Sequence, residues 1–335
     1  MRTKLLIASA DVGYAEHLSN YISEHYRSTI EVSMFRTQKS LADLPENQRF
    51  DAALFDVDLL EGFDTSRIVL PVLLVSEDAE ESTGFENFET ISKYQRISAI
   101  VSELLSKCAK ITKYSGDPDS NNANITAVWS PSGGVGKTTV ALSYAASRAA
   151  VGKRVLYLNL EPFSSVPAYF NDSGKSISAA FEMLENAQGN LQMLIRGICQ
   201  QDREAGVAYF CRPENFDDMY ALSSDNIAEL TTVCAGVTEE LVVDMSCVCD
   251  WRTRKVFELV DTIFIVTDKT TTAQVKLSQF LSQHNVFESI KEKVTLVANK
   301  GAAVSMEVDG AIWKLPWVSS SDPKTVYKTL SSCFE

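Results

Sequence analysis

An apolar run, NITAVWS at residues 124–130, leads straight into PSGGVGKTT at 131–139, and a segment of helical character follows. A strand, a glycine-rich loop and the first turn of a helix, in that order, leave few folds open. Glycines let the backbone approach a ligand closely and take conformations that other residues resist. The N–H groups of such a loop converge on an anion, and the helix N-terminus adds partial positive charge. In this loop Lys137 is placed to reach outer phosphates, Thr138 to ligate Mg²⁺ and Thr139 to bond an inner phosphate. A turn that merely joins strand to helix has no need of the Gly-Lys-Thr-Thr run. Pro131, however, stands where such loops usually open with glycine.

The rest of the chain repeats the alternation of buried strand and amphipathic helix. After the loop, RVLYLNL, ELVVDM, DTIFIVTD and KVTLVANK read as strands, with GAIWKLPW as a short final strand and turn. Before it, KLLIAS, IEVSMF, FDAALFDV and IVLPVLLVS read as strands, with helices near residues 11–26 and 96–110. Such alternation predicts parallel sheets covered on both faces. Between the two series, KYSGDPDSNNAN is rich in turn residues and has no apolar periodicity, the mark of a linker. The fold class expected is therefore α/β with two doubly wound domains, residues 1–112 and 124–335, joined by a linker at 113–123. Ligands are expected at the carboxyl ends of the strands.

Charge and composition narrow the chemistry. The net charge is −13, with 12 Lys+Arg against 18 Asp+Glu in residues 1–115 and 19 against 26 in 116–335. Nucleic-acid binding draws on cations meeting phosphates, and neither half carries a basic stripe, so no nucleic-acid partner is expected. No apolar run reaches the roughly 20 residues that span a bilayer, and no secretory leader is read at the N-terminus. A cytoplasmic protein is the expectation. Seven scattered cysteines fit reduced thiols, and three histidines show no metal-ligand spacing.

Ser132-Gly133-Gly134-Val135-Gly136-Lys137-Thr138-Thr139 resembles the loop of the deviant-Walker ATPases of the ParA/MinD type. That resemblance, over residues 123–330 or so, implies a P-loop NTPase domain that binds ATP with Mg²⁺. It matches Asp244 in LVVDMSCVCD to the aspartate that holds Mg²⁺ through water, and LNLEP to a first switch, with Asn159 and Glu161 at its two acidic positions. Glu161 would orient the attacking water or organise the switch. Asn299 in VANK would contact adenine, and Pro316 in LPW would line the base. As bare residues, Asp244 could equally cap a helix, Glu161 face solvent and Asn299 make a turn. The family's first loop lysine, which crosses to a partner's nucleotide, is replaced by Ser132. A partner cation can be worth about 10³–10⁵ in phosphoryl transfer, so binding with slow or absent hydrolysis is expected unless another cation substitutes. Cys247 and Cys249 depart from the spacing of relatives that hold an iron–sulfur cluster.

Residues 3–112 are similar to a response-regulator receiver, a flavodoxin-like domain. Asp56 stands at the phosphoacceptor position, Ser76 at the hydroxyl position and Lys93 at the lysine. The acids that bind Mg²⁺ there are Ser9 and Ala10 in this chain, with Asp11 one step late. Hard oxygen ligands are therefore missing, and a docking module without the reaction is expected. A degenerate receiver joined to a ParA/MinD-like domain resembles the TadZ/CpaE family. The resemblance implies an ATP-bound homodimer that localises the Tad (Flp) pilus secretion machinery at a cell pole, reaching the inner face of the membrane only indirectly. A turnover-driven positioning ATPase and a phosphorylation-gated regulator stay open beside it.

Overall fold

The computed structural model describes residues 3–27, 30–45, 48–60, 63–76, 88–111, 123–186, 189–303 and 311–334. The expected linker, except for residue 123, lies outside the described residues. The chain divides into two compact units, residues 1–116 with 188–197, and residues 117–187 with 198–335.

In the first unit, β1 (Thr3–Ala8), β2 (Ile30–Phe35), β3 (Phe50–Asp56), β4 (Ile68–Val75) and β5 (Glu89–Ser92) form a parallel sheet in the order β2-β1-β3-β4-β5. This is the 2-1-3-4-5 order of one common doubly wound sheet, which places its crevice between the ends of β1 and β3. Leu6, Ala8, Ala53, Phe55 and Leu73 are buried together in one core cluster. The helix Ile97–Ile111 buries Ile100, Val101, Leu104, Leu105, Cys108 and Ala109, a stripe at helical spacing. Residues 188–197 join this unit, where the Asn190 N–H donates to the Ala109 carbonyl over 2.7 Å. β5 is absent from the sequence expectation, because ETIS is short and half-exposed.

The second unit holds β6 (Asn124–Trp129), β7 (Val155–Leu160), β8 (Gln200–Gln201), β9 (Val207–Tyr209), β10 (Glu240–Met245), β11 (Thr262–Thr267), β12 (Val294–Ala298) and β13 (Ile312–Lys314). Their order is β13-β12-β11-β6-β10-β7-β9-β8, parallel except that β8 runs against β9. Every residue of β7 and of β10 is buried, which is why both read as largely apolar runs rather than alternations, interrupted only by Asn159 in β7 and by Glu240 and Asp244 in β10. The two short strands β8 and β9 carry no such signal. β6 lies in mid-sheet, so the loop that follows it opens onto the crevice between chain crossings to β10 and to β11, where ligands of such sheets bind. Among the described residues no helix is long and apolar enough to cross a membrane.

Candidate functional site

The loop after β6 turns through two left-handed glycines, Gly134 at φ 77° and Gly136 at φ 94°. Gly136 is the N-cap of the helix Lys137–Ala150. The Ser132 N–H donates to Ser130 Oγ over 3.1 Å, and Ser132 is buried, so its short uncharged side chain stays within the loop. Lys137 is also buried, and its Nζ lies 3.5 Å from Glu161 Oε1, just beyond the end of β7. A buried ammonium is costly unless an anion faces it, and Glu161 supplies that charge here.

The neighbouring strand ends supply the acids. Asp244, near the end of β10, is fully buried, and its Oδ2 accepts from the Tyr157 hydroxyl at 2.7 Å and from Asn159 Nδ2 at 3.2 Å. Its Oδ1 is buried without a hydrogen-bond partner. Burial, then the Glu161 charge, pushes the Asp244 carboxyl up to about 7, against the pull of Thr138, Tyr157 and Lys137. Burial and the Asp244 charge push the Tyr157 phenol well above its ordinary value, so it stays protonated and donates. A buried carboxylate oxygen left bare costs free energy unless something polar meets it. An Mg²⁺-bound water, with the ion on the nearby Thr138 hydroxyl, fits that place. Thr139 lies beside the Tyr169 hydroxyl, one turn into the site's helix.

Asn299, expected to contact adenine, lies beside the loop and bonds to it. Its Nδ2 donates to the Val135 carbonyl over 2.9 Å, and its Oδ1 accepts from the Lys300 N–H at 2.8 Å. Lys300, at φ 57°, extends its ammonium to the Gly134 carbonyl at 2.6 Å and to Asp268 Oδ2 at 3.2 Å. Burial opposes it, yet hydrogen bonds from Thr270 and Lys300 hold the Asp268 carboxyl below its ordinary value. Pro316 is exposed, and the Gly301 N–H donates to the Leu315 carbonyl over 2.9 Å, which brings the two loops side by side. Trp317, 64% exposed, follows Pro316 on the same edge. The sequence reading passed over Tyr157, Lys300 and Asp268. Asn-Lys after a buried strand was a legible signal for the second, whereas Tyr157 looks like any strand residue.

Cys247 is exposed beyond β10, and burial raises the Cys249 thiol. No cluster of metal-ligating side chains occurs among the described residues.

In the first unit, Asp56 at the end of β3 is already satisfied. Its Oδ2 accepts from the Ser9 hydroxyl at 2.6 Å and the Ala10 N–H at 3.2 Å, and its Oδ1 from Lys93 Nζ at 2.8 Å. The Lys93 ammonium also lies over the Tyr14 ring, 5.0 Å from its centroid. Asp11 instead caps the helix Val12–His25 by accepting from the Tyr14 N–H at 3.0 Å. Ser76 follows β4 directly, half-buried.

No family model matches the sequence, and no curated protein matches it. Solved structures do. The crystal structure of a ParA family ATPase from Chlorobium tepidum TLS is 18% identical, covers 64% of this chain and 97% of its own, and superposes with a TM-score of 0.54. The septum site-determining protein MinD of Pyrococcus horikoshii OT3, complexed with Mg-ADP, is 12% identical over 62% of this chain and 94% of its own, at a TM-score of 0.46. At these identities the likeness is one of fold alone: 64% of this chain shares the α/β fold of the ParA family ATPase structure.

Proposed function

We propose that this chain is an ATP-binding, dimerising scaffold of the TadZ/CpaE kind, which holds nucleotide rather than turning it over and localises the Tad (Flp) pilus assembly machinery. One observation carries the reading: Lys137, Thr138 and Asp244 converge on a phosphate-binding loop whose other cation position is the buried, uncharged Ser132. Lys137 and the loop N–H groups bind the phosphates, with Thr139 on an inner one. Thr138, and Asp244 through water, hold Mg²⁺, which supplies charge neutralisation to the phosphates when bound. ATP then acts as a clamp, adding binding energy to one conformation and shifting the population toward a dimer.

Exposed aromatic side chains gather beyond the ends of β7 and β10. Phe163 is 80% exposed and stacks on Phe216 at 5.2 Å, while Arg252 lies 4.9 Å from the ring centres of both Tyr220 and Trp251. Such surface is characteristic of protein contacts, and we assign it to the second copy.

The test is the nucleotide that remains. Protein loaded with Mg-ATP, incubated for hours, stripped of free nucleotide and denatured is expected to release ATP. Release of ADP instead favours the cycling positioning ATPase, and Lys300, 2.6 Å from the Gly134 carbonyl, is then the cation that substitutes.

For the first unit we propose a pseudo-receiver. The Lys93 ammonium and Ser9 hydroxyl occupy Asp56, and Ser9 and Ala10 bring no carboxylate for a metal. Incubation with radiolabelled acetyl phosphate is expected to leave no label on the protein. Label that disappears in Asp56→Ala would establish the phosphorylation-gated reading.

A further inference from the structure

We propose that Tyr157 is a positioning residue of the nucleotide site: with Asn159 it holds one oxygen of Asp244 and so presents the other, Oδ1, to a water bound to the divalent cation that accompanies the nucleotide. The inference rests on the reading of the site given above and goes one shell further out.

Tyr157, Asn159 and Glu161 stand at alternate positions along one chain segment, and side chains on a strand alternate between faces, so Tyr157 and Asn159 share a face of β7. In the parallel pairing of β7 with β10, Asn159 lies directly opposite Asp244, and Tyr157 opposite Val242. The bonds between them have only one consistent direction. Asn159 Nδ2 donates to the Tyr157 hydroxyl over 3.0 Å, so the phenol uses its own proton on Asp244 Oδ2, 2.7 Å away. Asn159 Oδ1 is meanwhile taken by the Glu161 N–H at 3.1 Å. The amide orientation is thereby fixed from both ends.

Tyr157 and Asn159 converge on Oδ2 and neither touches Oδ1, which is buried and makes no hydrogen bond of good geometry, although the Thr138 hydroxyl lies beside the carboxyl. A carboxylate pinned at one oxygen cannot rotate, so the free oxygen points in one direction. Packing alone does not explain the tyrosine. Its ring meets Phe170 edge-on at 6.3 Å, a contact that phenylalanine would make equally well, and a phenol buried to 1% exposure costs free energy unless its hydroxyl is bonded. Asn159 belongs to the same device. An aspartate there would set a second negative charge against Asp244 and could not donate.

Groups that orient a metal's ligands typically contribute 10–100-fold to metal affinity. The test uses the full chain and a fluorescent ATP analogue, titrated once in EDTA and once with rising Mg²⁺. Tyr157→Phe is expected to raise the Mg²⁺ concentration at half-saturation about tenfold, while nucleotide affinity in EDTA stays within about twofold of wild type. Asn159→Leu, which keeps the volume and removes the donor, is expected to shift Mg²⁺ in the same direction, and it decides the matter alone if Tyr157→Phe does not fold. An unchanged Mg²⁺ midpoint in a folded variant overturns the proposal. So does a parallel loss of affinity with and without Mg²⁺, the signature of a purely structural tyrosine. Wild-type protein that binds the analogue without regard to Mg²⁺ overturns the reading of the site itself, and the inference with it.

Discussion

Asp244→Asn is expected to stabilise the nucleotide-free protein above neutral pH and to abolish its response to Mg²⁺. The carboxyl is completely buried, and burial and the Glu161 charge push it up from 3.8 to about 7. The direction of the pH effect follows from proton counting. Between those two values the folded state holds a proton that the unfolded state has released, so stability falls as pH rises. Below the lower value both states are protonated and the group costs nothing. Above the higher one both are ionised, and the full penalty of a buried charge is present, about 4 kcal/mol at most. Asparagine has nearly the same shape, never ionises and still offers an oxygen to the Tyr157 hydroxyl. Its advantage over aspartate in urea unfolding should be absent near pH 4, grow through pH 5–7 and level off at about 2–4 kcal/mol by pH 8. The same variant should bind the ATP analogue equally with and without Mg²⁺. If stability at pH 8 does not rise, Asp244 is not carrying an uncompensated charge, and the bare Oδ1 has no functional meaning.

How much of this was visible in the sequence depends on where each residue's partners lie. β6, its loop and the helix after it were legible because an apolar run followed by glycines and lysine carries the structure locally. β7, β10, β11 and β12 were legible because both their faces are largely covered, so apolar residues dominate each of them without a period-two alternation. β8 and β9 were not: Gln200 and Gln201 form a two-residue antiparallel edge, and β9, though Val207 and Tyr209 are buried, is only three residues long. Within the site, the residues named from the sequence were those expected to touch a phosphate or a metal. The supports were missed: Tyr157 bonds a residue 87 positions away, and Lys300 a carbonyl 166 positions away. Those partnerships exist only after strands β7, β10 and β12 line up beside β6 and its loop. Asn299 shows the same limit from the other side. It stands beside the loop, where its amide donates to the Val135 carbonyl. Asp11 likewise lies beside the expected pocket, yet it spends its carboxylate on a helix cap while Ser9 takes the place at Asp56.

Gly136→Ala is expected to cost about 2–4 kcal/mol and to weaken nucleotide binding by more than a hundredfold, because two independent constraints meet at that residue. The first is conformational. At φ 94° an L side chain is strained whatever the space around it. The second is steric, for a Cβ there would lie 2.4 Å from Asn299 Nδ2. Asn299 could move only by giving up the Val135 carbonyl and the Lys300 N–H together, which frees the loop on the side where Lys300 grips Gly134. A buried amide without partners adds its own cost of about 1–3 kcal/mol. Gly133→Ala separates these effects from the mere loss of a glycine. A Cβ at Gly133 meets nothing within 4 Å, and its φ lies outside the left-handed range. That variant should unfold within about 0.5 kcal/mol of wild type, so any loss of nucleotide binding it shows reports the approach of the ligand alone. Equal destabilisation by the two substitutions would mean that Asn299 does not fasten the loop. A large gap between them would mean that the loop's shape is set before the nucleotide arrives, by an asparagine and a lysine that reach it from the end of a different strand.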